Sequence, residues 1–355
     1  MALKPEAVST ASIPHKGAEG MAYSYGWARG VVLSASFAAG LLSPAIANAA
    51  DTLRLTLPSK MFLNVIEFVA QDKGFYKDQE LEVEFTHIAD SSVPVRTLIA
   101  GSADVIEAGM SETLVAAAKG AEVKTIGAVH SGLHYAFWVR PESGVEKIED
   151  LPGKNVAISS PGSLPHVVTL ALLHKAGVPE AEIDTINWVS FKGSSARLNA
   201  LIAGTVDATV ASFSPEIERS GDAKLLSIVG KELPDYVMIP WDTSVDMIEN
   251  RRDVLKRFIK AELLATRFVF ENRDEALAVA KEHFDYSDED LDAFYKFYTE
   301  GGIWDPNGLI GDKAAEYMQQ LNVDTGLQSE VLPAERVVDQ SITREVLEDI
   351  GRYER

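Results

Sequence analysis

The chain has 355 residues, enough for about two domains, and its 46% hydrophobic and 24% charged residues are those of a globular protein. A net charge of −20, from 53 acidic and 33 basic residues, argues against nucleic acid or an anionic membrane surface as the main partner, since both require basic patches. No cysteine occurs, which excludes disulfides, thiolate zinc sites, cysteine nucleophiles and a lipid anchor of the lipobox type.

The N-terminus reads as an export signal. Gly30 to Ile46 is apolar and uncharged, Arg29 precedes it and Ala47-Asn48-Ala49 follows as a small-residue cleavage signature. The stretch is short for a bilayer span, which needs about 20 apolar residues. Cleavage is expected after Ala49, through the general secretory route because no twin arginine precedes the apolar run, and Met21 is an alternative start.

The mature part alternates strand and helix patterns. Leu53–Leu57 and Leu81–Phe85 alternate apolar with polar residues, as half-buried strands do, and Asn64–Lys73 between them has helical spacing. A helix over Ser91–Ala100, a short strand at Asp104–Ile106, an Ala-rich helix over Glu112–Lys119 and a buried strand at Val123–Val129 follow. The pattern then recurs: strand Asn155–Ile158, helix Leu164–Lys175, strand Thr185–Val189, helix Ser194–Ala203, strand Ala208–Val210, helix Ser214–Arg219, and Leu225–Val229 as the last strand. Alternation of this kind predicts parallel sheets covered by helices. Beyond Trp241 the pattern is helical, with a long amphipathic helix over Arg251–Glu271, a capped helix opening at Ser287 and a charged final helix over Thr343–Tyr353.

The recurrence is visible in the letters. Ser91-Ser92 followed by Leu98-Ile99-Ala100-Gly101-Ser102-Ala103-Asp104 matches Ser194-Ser195 followed by Leu201-Ile202-Ala203-Gly204-Thr205-Val206-Asp207 at a constant offset of 103. Each copy reads as a serine-capped helix, a glycine that ends it and a strand after the aspartate. Two lobes on one α/β plan are expected.

Motifs for catalysis are missing: no Gly-rich nucleotide loop and no nucleophile elbow occurs. His130 and His134 are four apart but flank Ser131-Gly132, a turn, so they read as single polar contacts and no metal site is expected. The acidic run Asp285–Asp292 lacks the spacing of a calcium loop.

Four segments carry a resemblance. They are Val69-Ala70-Gln71-Asp72-Lys73-Gly74-Phe75-Tyr76 with Leu81-Glu82-Val83, then Leu98–Asp104, then Asp150-Leu151-Pro152-Gly153-Lys154-Asn155-Val156, then Ala200–Ala208. In this order and spacing the chain resembles periplasmic binding proteins of the nitrate, sulfonate, taurine and thiamine-precursor ABC importers, over roughly residues 52–320. Two departures stand out: Glu80 occupies a position where the family often has glycine, and Phe213 precedes Pro215 where many members carry tryptophan. The resemblance implies a bilobal α/β fold of the type II periplasmic-binding-protein class, two parallel-sheet lobes joined by strand crossings near 134–142 and 234–241, with C-terminal helices packed on the first lobe. It divides the chain into a signal peptide (1–49), a first lobe (50–135 and 237–325), a second lobe (136–236) and a C-terminal tail and helix (326–355). It also implies a monomer in the periplasm that closes on a small molecule and hands it to a membrane permease, without a cofactor and without catalysis. Relatives that do chemistry, a desulfinase and a pyrimidine synthase, lean on cysteines that this chain lacks. A ligand-presenting sensor module would use the same cleft with another membrane partner.

Ligands of open α/β sheets bind beyond the carboxyl ends of strands. The loops expected there supply Ser59, Lys60 and Phe62; Ser91 and Ser92; Met110 and Ser111; Tyr135; Ser160, Gly162 and Ser163; Ser194 and Ser195; and Phe213 and Ser214. Serine hydroxyls beside helix N-termini suit a small anion of the sulfonate, taurine, nitrate or carboxylate type, with a thiamine-precursor pyrimidine as the alternative ligand. Lys60, Lys192 and Arg197 are the cations nearest these loops in sequence. The same serines also suit plain helix caps.

Overall fold

The computed structural model of the chain describes residues 50–58, 60–88 and 93–354. The expected signal segment, Ser59, Ser91 and Ser92 lie outside them. Two five-stranded sheets form the frame. The first holds β1 (Asp51–Leu57), β2 (Leu81–His87), β3 (Val105–Glu107), β4 (Val123–His130) and β10 (Ile239–Ser244) in the order β2-β1-β3-β10-β4. The second holds β5 (Tyr135–Val139), β6 (Asn155–Ile158), β7 (Asn187–Ser190), β8 (Ala208–Ser212) and β9 (Lys224–Ile228) in the order β7-β6-β8-β5-β9.

The two orders are one plan. In each sheet the first three strands run parallel, and the fourth lies antiparallel to both neighbours. That fourth strand arrives from the other lobe: β5 enters the second sheet directly from β4, and β10 enters the first after β9. The chain therefore crosses twice between lobes, at 131–134 and 229–238. The crossings touch through glycines. A Cβ at Gly230 would lie 2.9 Å from the Leu133 carbonyl oxygen, and one at Gly132 would lie 2.5 Å from that of Gly302.

The repeat has a physical basis in its aspartates. The Asp104 N–H donates to the Arg54 carbonyl at 2.9 Å, and the Asp104 carboxylate accepts the Arg54 N–H at 2.8 Å. Asp207 makes the same reciprocal pair with Asn155, at 2.8 and 3.0 Å. Each aspartate thus locks the third strand to the first before the ladder begins. An arginine completes each lock, Arg54 on Asp104 and Arg140 on Asp207, both at 2.7 Å. Gly101 and Gly204 end the preceding helices with φ of 69° and 73°, the left-handed turn that glycine adopts without strain.

Two strands escaped the sequence pattern, so Leu225–Val229 is not the last. Tyr135–Val139 does not alternate because its last four residues are all buried. Ile239–Ser244 carries Pro240 and Asp242, which read as breakers. Asp242 is fully buried and accepts hydrogen bonds from the hydroxyls of Thr113, at 2.6 Å, and Thr125. Beyond it, the helix Arg252–Glu271 packs on Val65–Asp72 and on the last helix, Ser341–Ile350. That last helix buries Ile342, Val346 and Leu347 against the first lobe, and the Thr343 hydroxyl donates to the Ile126 carbonyl at 2.6 Å.

Candidate functional site

A cleft of about 480 Å³ opens between the lobes, within the range of small-molecule sites. The first lobe contributes Pro58, Met61, Ile88, Pro94 and the run Glu107–Glu112, where β3 ends and the helix Met110–Ala118 begins. The crossings contribute His134, Tyr135, Tyr236, Met238 and Ile239. The second lobe adds Gly162, Leu164 and Val167 at the start of the helix Leu164–Lys175. The helix Ala314–Asp324 and the turn after it close the wall with Met318, Leu321, Asn322, Thr325 and Leu327.

This wall is soft, apolar and acidic. Four of the chain's seven methionines line it, Met61, Met110, Met238 and Met318. Its charged side chains are Glu107 and Glu112; no lysine or arginine lines it among the described residues. Burial, and then the neighbouring Glu67, push the Glu107 carboxyl up to about 7. Burial, and then His130, hold His134 down at about 4, so its imidazole is neutral at physiological pH, and it stacks on the Tyr135 ring at 5.0 Å between centroids. Burial also raises the phenols of Tyr135 and Tyr236, the latter with help from the Glu112 charge, so both keep their protons. The Ser111 hydroxyl donates to Asn322 Oδ1, while Asn322 Nδ2 donates to the Ser111 and Gln328 oxygens at 3.3 and 3.4 Å.

Of the residues picked from sequence, Met110, Ser111, Tyr135 and Gly162 come together on this cleft. The other described ones do not line it, and Ser59, Ser91 and Ser92 lie outside the described residues. Phe62 is only 1% exposed and packs among Phe284, Phe294, Tyr298 and Trp304, with centroids 5.5 to 6.3 Å away. Phe213, 8% exposed, stacks flat on Phe297 at 4.1 Å and on Trp138 at 6.2 Å, joining the second lobe to the helix Asp288–Glu300. Lys60 is exposed and its ammonium lies 5.2 Å over the Phe68 ring.

The serines of the second lobe are spent on local bonds. Ser163 Oγ accepts the Ser160 N–H at 3.1 Å, and the Gly162 N–H goes to His166 Nδ1 at 3.0 Å. Ser194 Oγ accepts from the Ser212 N–H at 3.2 Å and from Arg197 at 3.3 Å. Arg197 is itself buried against the Val210 carbonyl and Ser159. Ser195 and Lys192 are exposed. Ser214 caps its helix by accepting the Ile217 N–H at 3.4 Å.

Sequence reasoning missed Glu107, Glu112, His134, Tyr236 and the whole 318–327 wall. Glu107 and Glu112 flank Met110-Ser111 and were within reach of the strand-end argument. The last wall had no signal, because it returns to the cleft from a distant helix.

The model of the NMT1/THI5-like family matches residues 64–276. Among curated proteins the chain is 22% identical to YtlA of Bacillus subtilis over 79% of this chain and 85% of that one. It is 22% identical to the riboflavin-binding protein RibY of Chloroflexus aurantiacus over 72% of this chain and 80% of that one. Among solved structures it is similar to the periplasmic aliphatic sulphonate binding protein SsuA of Escherichia coli, with a TM-score of 0.66, 16% identity, and coverage of 82% of this chain and 92% of that one. With a family match over more than half its length and a bilobal periplasmic-binding-protein fold, the chain belongs to the NMT1/THI5-like family.

Proposed function

We propose that this chain is the extracytoplasmic solute-binding component of an ABC-type importer, and that its ligand is a planar, uncharged or cationic heteroaromatic compound of the pyrimidine-to-flavin kind. The carrying observation is the cleft wall, which combines four methionines, two protonated phenols and carboxylates with no cationic side chain among the described residues. Thioether sulfurs favour contact with aromatic rings. Carboxylate and amide oxygens accept hydrogen bonds from ring N–H and amino groups. The name of RibY, a riboflavin-binding relative, supports the same class.

The small-anion reading finds less support. A sulfonate, nitrate or carboxylate would meet a wall that no lysine or arginine lines among the described residues, in a protein whose net charge is already −20. The loop N–H groups of Ser160 and Gly162 that would cradle it are bonded to Ser163 and His166.

In this reading the protein works as a monomer in the periplasm after cleavage of the signal. Ligand bridges the lobes, the two crossings flex, and the closed form docks on its permease. No described helix is long and apolar enough to cross a membrane. The test is a thermal-shift and calorimetry screen of the mature chain. Riboflavin and thiamine-precursor pyrimidines are set against taurine, an alkanesulfonate and nitrate. A ligand at 100 times its Kd stabilises the folded state by about 2.7 kcal/mol. The heteroaromatic class should bind and be recovered unchanged by mass spectrometry. Preference for a sulfonate would overturn the ligand class, and a converted product would overturn the binding role.

A further inference from the structure

Behind the cleft wall the first lobe buries a set of side chains that its fold does not explain. Glu67 from the helix Val65–Asp72, Glu107 at the end of β3 and His130 at the end of β4 are all at most 1% exposed, and each offers a ligating atom within 4.8 Å of the other two. His130 Nε2 lies 2.6 Å from Glu67 Oε1 and 3.4 Å from Glu107 Oε2. Glu262, also fully buried, stands beside them on the helix Arg252–Glu271 with the Tyr76 hydroxyl donating to its Oε1. The Trp241 indole N–H donates to Glu107 Oε1 at 3.1 Å.

Three carboxyl groups and one imidazole share this pocket, and among the described residues no lysine or arginine forms an ion pair with any of the three. The hydrogen bonds do not balance. Glu67 Oε2, Glu107 Oε2 and Glu262 Oε2 are buried without a hydrogen-bond partner. A buried polar atom left unpaired costs about 1–3 kcal/mol, and more for a charged group. Three such side chains converging from three different elements are expensive unless something sits between them.

We propose that Glu67, Glu107 and His130 bind a first-row divalent cation. Two carboxylates and a neutral imidazole neutralise a dication, and an ion between them gives the unpaired buried oxygens a partner. The donors fit zinc and manganese better than a soft thiophilic ion, since they are oxygen and imidazole nitrogen. Ligands about 2.1 Å from a tetrahedral zinc lie about 3.4 Å apart. The His130–Glu107 separation is already 3.4 Å, and the 2.6 Å His130–Glu67 contact would open by less than 1 Å. Glu107 also lines the ligand cleft, so an ion can enter from that side.

The experiment uses the mature chain stripped with EDTA and offered Zn2+, then Mn2+. Calorimetry and elemental analysis after gel filtration should find one ion per chain. The melting temperature should rise with the metal and not with Mg2+. In crystals of the wild type soaked in Zn2+, an anomalous difference peak should stand between Glu67, Glu107 and His130, a readout that needs no variant. His130→Gln and Glu67→Gln should lower the affinity at least 100-fold while ligand capture in the screen above persists. Failure of both ions to bind the wild type with defined stoichiometry, a peak elsewhere, or unchanged uptake by His130→Gln would each overturn the assignment. None of these outcomes depends on which solute the cleft takes.

Discussion

Replacing Glu80 with glycine should stabilise the protein while leaving every contact of its side chain's surroundings in place. Glu80 is the one non-glycine residue with a left-handed backbone among the described residues, at φ 53°. Its position is the one where resembling sequences often carry glycine. The conformation is held from outside: the Glu80 N–H donates to the Lys77 carbonyl at 2.9 Å, and its own carbonyl accepts from Asp51 N–H at 3.0 Å and from Arg257 at 3.1 Å. The side chain itself is exposed. A left-handed residue with a Cβ costs roughly 1–2 kcal/mol. Glycine removes that strain but gives the unfolded chain more freedom, which takes back about 0.5–1 kcal/mol. The net gain should be about 0.5–1 kcal/mol.

Chemical denaturation of wild type, Glu80→Gly and Glu80→Ala measures it. Alanine keeps the Cβ and therefore the strain, so only glycine should raise the midpoint, with an unchanged slope. The alanine variant also controls for charge, because both substitutions remove one carboxylate from a chain of net charge −20. Equal stabilisation by alanine and glycine would refute the strain argument and assign the effect to relief of repulsion.

Phe213→Ala should lower stability by about 3–5 kcal/mol, the range for a buried phenylalanine, because the ring is stacked between Trp138 and Phe297; unfolding curves check the loss, and a Kd shift with no loss of stability would return Phe213 to the cleft. Burial, against the hydroxyls of Thr113 and Thr125, pushes Asp242 up to about 7. A folded-state value above the unfolded one means that this group's stabilisation is complete below about pH 4 and is lost as pH rises through 7. Relative to Asp242→Asn, the wild type should therefore lose on the order of 3 kcal/mol between pH 5 and pH 8, read by denaturation at the two pH values. Ser111→Ala should weaken ligand binding about fivefold or more, by freeing Asn322 on the cleft wall, whereas Ser195→Ala should leave Kd unchanged; the reverse pattern in titration calorimetry would return the site to the repeated serines.

The lobes were legible because their repeat is physical. Asp104 and Asp207 close the same reciprocal backbone lock, and the glycines three residues earlier turn the chain into it, so identical chemistry left identical letters. The crossing strands were implied by the resemblance, near 134–142 and 234–241, and the local pattern missed them for the opposite reason. β5 is buried on both faces and has no period, while β10 hides a carboxyl that only its tertiary partners Thr113 and Thr125 make tolerable. The cleft divides in the same way. Met110, Ser111 and Gly162 follow strand ends and could be found from topology; Met318, Asn322 and Leu327 come back from a helix some 200 residues later and could not. Phe62 sits on a turn beside Lys60 in the sequence, but its ring is covered by Phe284, Phe294 and Trp304, which no local pattern announces.

The serines show where motif reading stops. A hydroxyl at a helix start suits an anion only while the loop's N–H groups point outward and free. Here the motif is closed on itself: Ser160 N–H to Ser163, Gly162 N–H to His166, Ser212 N–H to Ser194. At the other helix start, the Met110 N–H donates to the Met238 carbonyl at 3.1 Å. The Glu112 carboxylate folds back over Gly109, so close that a Cβ there would fall 2.1 Å from it. The positive end of that helix is thus already met by a negative group of the protein. In the proposed reading the ligand is therefore matched chiefly by side chains. Those side chains are thioethers, phenols and carboxylates, which together suit a flat ring bearing N–H donors.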